Sequence, residues 1–302
     1  GEDSGMRLRR LKDLLASRLM LSATVFSALL VVFIAIGLFL KSRSILSIQP
    51  LNKLLFSSSW HPLNGEFGLY PFIMGTLWVT VVAMIIAIPL CLLTSIYLAE
   101  YAPKRVRGVV KPTIDLLAGI PSVVYGLFGL LLIVPLTQSI APIFGITTNG
   151  YNVLSGGIVL AMMVFPVIIS ISEEVIETVP YGMREASLAL GATKWQATKL
   201  VVTRGALPGI IAAIILGFAR AFGETMAVLM VVGNVAKAPS SVFDPAYPLP
   251  ALIANNYGEM MSVPQYGSAL LFAALVLLVV VFLFSVGARL ILVRVERRYR
   301  VG

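Results

Sequence analysis

Residues 71–98 read Pro-Phe-Ile-Met-Gly-Thr-Leu-Trp-Val-Thr-Val-Val-Ala-Met-Ile-Ile-Ala-Ile-Pro-Leu-Cys-Leu-Leu-Thr-Ser-Ile-Tyr-Leu, without a single Asp, Glu, Lys, Arg or His. About 20 such residues in a helix cross the hydrocarbon core of a bilayer. There the backbone must satisfy its own donors and acceptors, as a helix or a closed barrel does. The apolar residues run on instead of alternating with polar ones, which selects the helix over the barrel strand. Five further stretches resemble this one, at about 21–40, 113–138, 153–172, 207–233 and 264–293. Composition agrees, since 58% of the 302 residues are AVILMFWYC and 12% are charged, against about 25% charged in soluble domains. That balance excludes most soluble enzymes and a disordered chain. The sequence therefore predicts an all-α, polytopic membrane protein of six spans.

Six spans leave both termini on one side, and Lys and Arg indicate which. The segment before span one carries Arg7, Arg9, Arg10, Lys12 and Arg18. The 99–112 connection carries four, the 173–206 connection four and the C-terminal end five, whereas the other three connections share only Lys41, Arg43, Lys53 and Lys237. Cytoplasmic segments hold the excess of basic residues, which predicts that both termini are cytoplasmic. The net charge of +9 does not point to nucleic acid, because the charges flank apolar spans and form no continuous patch with interleaved aromatics. Residues 1–20 are a basic amphipathic segment with Leu8, Leu11, Leu15 and Leu19 at helical spacing. It either lies on an anionic membrane face or is a positive flank that fixes topology. No small-residue cleavage pattern precedes Lys41, so span one reads as a retained helix and not a signal peptide. Residues 21–302 then make one transmembrane domain.

Several chemistries have no residues to perform them. No Gly-x-x-x-x-Gly-Lys-Ser/Thr occurs in the sequence, so any nucleotide chemistry of this chain's system belongs to another polypeptide. The one histidine, His61, falls in the connection after span one, and the one cysteine, Cys91, lies in an apolar run. Neither a Ser-His or Cys-His pair nor a metal-ligand cluster is evident. Cys91 reads as a small packing residue.

The connection at 173–206 is amphipathic and helix-prone, with stops at Pro180, Gly182 and Gly191. It reads Glu185-Ala186-Ser187-Leu188-Ala189-Leu190-Gly191-Ala192. A short helix between two bends makes a compact knob whose small residues let another surface approach closely. Glu185 near its start suits the helix dipole and a basic partner. A surface helix that only joins spans four and five is the competing reading.

This segment resembles the Glu-Ala-Ala loop of binding-protein-dependent ABC importer permeases, in which Glu-Ala-Ala, three residues, Gly, nine residues, an aliphatic, one residue and Leu-Pro form the helix seated in an ATPase subunit. Glu185, Ala186 and Gly191 match, Ser187 replaces the second alanine, and Val201 stands at the aliphatic position. The pattern departs at the Leu-Pro, where Thr203-Arg204 stand and Leu207-Pro208 follow one turn later. Trp60-His61-Pro62 with Gly65-Glu66-Phe67-Gly68, Leu98-Ala99-Glu100-Tyr101-Ala102-Pro103, Asp115 to Gly126, and Gly223-Glu224-Thr225-Met226-Ala227-Val228 are similar to the phosphate-specific importer permeases. The last of these favours the PstC type over PstA.

Charges inside spans mark a pathway, because each costs about 2.5–3.5 kcal/mol at a helix centre on insertion scales. With span five at 207–233, Arg220 falls at its midpoint, and Glu224 follows four residues later on the same helical face, where the two can pair. A purely structural ion pair is the alternative. An anion in transit needs donors that replace its water, and the planar guanidinium fork fits two oxygens of a tetrahedral oxyanion. Arg220 is the expected contact, with Glu224 holding the fork and limiting retention. In span three, Gly119-Ile120-Pro121-Ser122 predicts a kink or break, which exposes a helix N-terminus and the Ser122 hydroxyl to a cavity. A kink without a site is the alternative. With span three beginning near Thr113 and span five near Leu207, Ser122 and Arg220 lie about 14 Å and 20 Å from the cytoplasmic ends, at 1.5 Å per residue. Asp115, three residues after Pro112, reads as a first-turn carboxylate paired with Lys111.

The resemblance implies a type I ABC importer permease bundle, MetI-like, in a bacterial or archaeal cytoplasmic membrane. It further implies a second permease chain (PstA-like), two copies of an ABC ATPase (PstB-like) that carry the ATP and Mg, and a periplasmic or surface-tethered phosphate-binding protein (PstS-like). This chain itself is expected to hold no cofactor and to catalyse nothing covalent. Two alternatives stand: a permease for another oxyanion such as sulfate or a phosphonate, and a channel or scaffold without an ATPase. The connection at 234–263, rich in proline, is expected to be an ordered loop with a short helix near Ala251–Met260 that docks a binding protein or caps the bundle.

Overall fold

The computed structural model describes residues 2–260 and 264–300, and the side chains of 12–202, 204–260 and 265–294. It is helical almost throughout. α1 (Glu2–Ile48) and the short α2 (Leu51–Phe56) lead into an antiparallel hairpin, β1 (Trp60–His61) and β2 (Glu66–Phe67), in which Trp60 faces Phe67 and His61 faces Glu66. α3 (Tyr70–Ile96) ends in a π turn at Tyr97–Tyr101. α4 (Lys104–Ala118), α5 (Ser122–Phe128), a second π turn (Gly129–Ile133) and α6 (Val134–Ile140) follow. Then come α7 (Val153–Thr178), α8 (Tyr181–Ala189), α9 (Lys194–Leu200), a third π turn (Val201–Ala206) and α10 (Leu207–Phe222). α11 (Met226–Leu229), α12 (Leu249–Met260) and α13 (Pro264–Arg300) complete the chain.

Six helical stretches are long and apolar enough to cross a membrane: 12–48, 70–101, 122–144, 153–178, 194–222 and 265–294. Their number agrees with the sequence, but three boundaries in spans three and five do not. Span three does not start near Thr113. Residues 104–118 carry Lys104, Arg105, Arg107, Lys111 and Asp115 along an amphipathic helix, and the apolar span opens only at Ser122. Span five does not run to 233 either. It begins at Lys194, passes without interruption through the π turn into α10, and stops at Phe222, where Gly223 turns the chain. α1 is unbroken from Glu2 to Ile48, so the boundary expected near residue 20 is not marked in the backbone. The helix expected in the 234–263 loop is present as α12.

α3 and α7 form the centre of the bundle. Val79, Val82, Ala83 and Ala87 meet Val159, Leu160, Met163 and Val164 there, and Cys91 is buried beside the Phe165 carbonyl. Glycine in α7 brings the two backbones together, since a Cβ at Gly157 would stand 2.4 Å from Val82 Cγ1 and 3.4 Å from the Ala83 nitrogen of α3. α1 packs on α13, where Ser268 Oγ accepts from the Ile45 amide at 3.0 Å. At the end away from α8, Trp60 sits edge-on to Phe67, Phe72 and Tyr266 and fastens the hairpin to the bundle.

Candidate functional site

The helix break expected at 119–121 is present, but it lies ahead of span three, which opens at Ser122, and not inside it. α4 stops at Gly119, Pro121 adopts extended backbone (φ −60°, ψ 143°), and α5 restarts at Ser122. Proline has no amide to continue the ladder and disfavours helical backbone in the residue before it. The Tyr125 hydroxyl spans the break, donating to the Leu117 carbonyl at 2.8 Å, which also accepts from the Ile120 amide at 3.2 Å. α5 packs against α11, where Gly126 makes the approach possible. A Cβ at 126 would lie 2.6 Å from Met230 Sδ and 3.1 Å from Ala227 Cα. The helices that follow the interruptions at 119–121 and 223–225 are therefore neighbours.

Arg220 is in the last turn of α10, not at a span midpoint, and its residue is exposed. It lies within electrostatic reach of the Tyr125 phenol of α5. The expected pair with Glu224 is absent: among the described residues no ion pair joins them. The reason is the helix end, because four-residue spacing brings side chains together only where the helix continues. Glu224 Oε1 instead accepts from the Ala227 amide at 3.3 Å, at the start of α11. It borders a cleft of about 10 Å³ with the buried Thr76 and Thr80 and with Pro248. Ser122 is half-buried, and Gly119 and Pro121 are exposed. Asp115 is in the last turn of α4 and not the first, and Lys111 turns to Glu173 of α7 at 3.7 Å.

The second group of candidates forms a protruding helix. α8 buries none of its residues. Glu185, Ala186, Leu188 and Leu190 are exposed and Ser187 is half-buried. Gly191 ends the helix in left-handed backbone, φ +84°. Its amide donates to the Leu188 carbonyl at 3.0 Å and that of Ala192 to the Ser187 carbonyl at 3.2 Å, the Schellman arrangement that requires a glycine or asparagine. α9 then starts with a capping box, Thr193 and Gln196 each bonding the other's amide. The displaced Leu207-Pro208 opens α10 after the π turn, so α9 and α10 form one continuous rod.

Residues that the sequence reading passed over surround this knob. Arg184 Nε donates to Glu100 Oε1 at 2.9 Å and to Oε2 at 3.1 Å, while Nη2 donates to Oε1 at 2.6 Å. Arg107 and Lys111 of α4 face Glu173, 1% exposed, and Arg107 also meets Glu177. A row of small residues at every fourth position, Gly205, Gly209, Ala213, Gly217 and Ala221, faces α7. Cβ atoms at 205, 209 and 217 would collide with Val179, Val175 and Ile168. That period was readable as a close helix contact. The ion pairs were not, since they join residues up to 84 positions apart. Among the described residues no group of three or more His, Cys, Asp or Glu side chains gathers to hold a metal ion.

Comparison with known proteins agrees with this fold. The family model described as "Binding-protein-dependent transport system inner membrane component" matches residues 91–301. "Phosphate transport system permease protein PstC" of Xylella fastidiosa (strain 9a5c) is 37% identical over 93% of this chain and 90% of its own length. "Probable ABC transporter permease protein YqgH" of Bacillus subtilis (strain 168) is 40% identical over 83% and 82%. "Probable phosphate transport system permease protein PstC" of Methanocaldococcus jannaschii is 34% identical over 75% of each chain. Among solved structures, the inward-facing MetNI methionine ABC transporter superposes with a TM-score of 0.56 at 22% identity, covering 73% of this chain and 93% of that one, a likeness of fold.

Proposed function

The chain belongs to the family of binding-protein-dependent transport system inner-membrane components, and we propose that it forms one wall of the pathway through which an ATP-driven importer moves inorganic phosphate into the cell. A second permease chain, PstA-like, supplies the other wall. A PstS-like binding protein delivers the anion, and two PstB-like ATPase subunits hold the ATP and Mg; this chain carries no cofactor. Both termini and α8 face the cytoplasm of a bacterium or archaeon, as the basic connections favour.

The observation that carries this reading is the exposed Arg220 at the end of α10, within electrostatic reach of Tyr125 of α5, the helix that follows the break at 119–121. A guanidinium at such a place offers two parallel donors to an oxyanion that has shed its water. Ser122 and the backbone at Gly119–Pro121 line the same passage, and Glu224 limits how long an anion stays. α8, with Glu185, Ala186, Ser187 and the turn at Gly191, seats in an ATPase subunit. Because α9 and α10 are one rod, closure of the ATPases moves that rod, and Arg220 travels with it.

Phosphate uptake into proteoliposomes holding the assembled complex, with and without ATP, tests this. Uptake should require ATP, resist a large excess of sulfate, and fall about tenfold or more in Arg220→Gln, the loss of a charged hydrogen bond. Unchanged uptake in that variant, with assembly intact, refutes the role of Arg220. Equal competition by sulfate would make the chain a general oxyanion permease.

A further inference from the structure

α8 is joined covalently to α7 through Pro180 and to α9 through Gly191. It buries none of its own residues, so those two bends alone would leave it free to swing. Half-buried Met183 packs on the cluster of Ile176, Val179 and Val201, and the polar tie that fixes α8 is Arg184. This side chain is 12% exposed and its partner Glu100 8%. Besides the three bonds to the Glu100 carboxylate, Nη1 donates to the Val179 carbonyl at 2.7 Å and Nη2 to the Ile176 carbonyl at 3.0 Å. Those two carbonyls belong to the end of α7, where a helix leaves its last acceptors unpartnered. Glu100 belongs to the π turn that ends α3. One guanidinium thus joins three elements.

Span five enters through Val179. Its side chain lies against Gly205 in the π turn that opens into α10, where a Cβ would stand 2.7 Å from Val179 Cγ1. Lys194 adds a parallel tie, its ammonium 4.4 Å from the centre of the Tyr101 ring. Buried Ile176, Val179, Val201, Ala206 and Ile210 fill the space behind.

We infer that Arg184, held by Glu100, is the positioning residue that transmits displacement of α8 to α3 and α7 together, so that two spans besides the α9–α10 rod move when α8 is pushed. The planar fork suits this task. It holds both carboxylate oxygens and two carbonyls in one rigid geometry, which a lysine cannot do. Without it, α8 would rock on Pro180 and Gly191 while the spans stayed behind. The inference rests on the proposed coupling of α8 to an ATPase.

The test is the number of phosphate ions taken up per ATP hydrolysed by the reconstituted complex. The unmodified complex decides the underlying reading first: no ATP-dependent uptake there refutes the transport proposal itself, independently of Arg184. Where the unmodified complex couples, Arg184→Gln and Glu100→Gln should still assemble and hydrolyse ATP, with uptake per ATP lower by about fivefold or more, the range of ordinary coupling free energies. Should Arg184→Gln fail to assemble, Arg184→Lys gives the reading, since it keeps the charge and loses the fork. Reduced uptake per ATP in Arg184→Lys supports the inference. Coupling equal to the unmodified complex in an assembled Arg184→Gln, or in Arg184→Lys, overturns it.

Discussion

Gly191→Ala isolates the backbone contribution to the α8–α9 corner. Gly191 has φ +84° and nothing within 4 Å of the position a Cβ would take, so the substitution adds no collision. What remains is the cost of left-handed backbone for a residue with a Cβ, about 1–2 kcal/mol. Asn tolerates that region better than Ala, and a β-branched residue worse. The expected order of stability at the corner is therefore Gly, Asn, Ala, Val. The assay is hydrogen exchange at the Ala192 amide, which donates to the Ser187 carbonyl across the turn. Local opening sets exchange there, and 1 kcal/mol corresponds to about a fivefold loss of protection. Equal protection in Gly191→Ala, or less in Gly191→Asn than in Gly191→Ala, would refute the conformational account and make the glycine a matter of space for a partner.

Gly217→Ala poses the opposite case, because its Cβ would stand 2.5 Å and 2.6 Å from Ile168 Cγ1 and Cδ1 in the buried α7–α10 contact. It should cost about 1–3 kcal/mol by overpacking, read as a lower unfolding temperature of the purified chain. Glu173→Ala removes a carboxylate that is 1% exposed and leaves Arg107 with Glu177 alone. With both basic partners partly solvated, a loss of about 1–3 kcal/mol is expected, and thermal unfolding at low and high salt measures it. Asp244 accepts from the Ser240 hydroxyl and from the Ser240 and Ser241 amides, and the Ser240 hydroxyl most of all holds its carboxyl below the usual range. A depressed acid stabilises the fold above its unfolded value, near 3.9, and loses that contribution as pH falls from there through the folded value. Protection of the Ser240 and Ser241 amides should thus be flat at neutral pH and decline below about pH 4, and Asp244→Asn should abolish that decline.

The six spans were legible because bilayer crossing needs only length and hydropathy, and the break at Gly119–Pro121 because proline has no amide to give. Arg220 was legible as a charge in an apolar run. Its pairing with Glu224 was misread because the end of α10 is set by Gly223, whose turn is one of several a glycine permits. Residues 223–233 look as apolar as the helix before them, so hydropathy alone carried the span too far. α4 failed for a related reason: Leu116 to Ile120 extend the apolar run backward from Ser122, while Lys104 to Asp115 place the preceding turn on an amphipathic helix. Arg184, Glu100 and Glu173 carry no local signature, since their partners are brought together by the packing of α3, α4, α7 and α8.

The small-residue row on α10 connects the two candidate regions mechanically. Gly205 meets Val179 at one end of the row, Gly217 meets Ile168 further along, and Ala221 closes it one position after Arg220. Contacts this close leave no space for α10 to slide on α7, because any shift in register would drive a side chain into the opposite backbone. The seam therefore resists sliding of the two helices along each other, while tilting of one against the other stays open to it. Leu216 and Arg220 lie on the exposed side of α10, away from that seam. Under the proposed coupling, a push received by α8 and passed through Arg184 to the end of α7 would reach Arg220 in the same direction as one passed through α9. The two routes agree in direction only while the seam is intact. Loosening it at Gly217 should therefore weaken transport more than it weakens assembly, even though Gly217 touches neither the anion nor the ATPase.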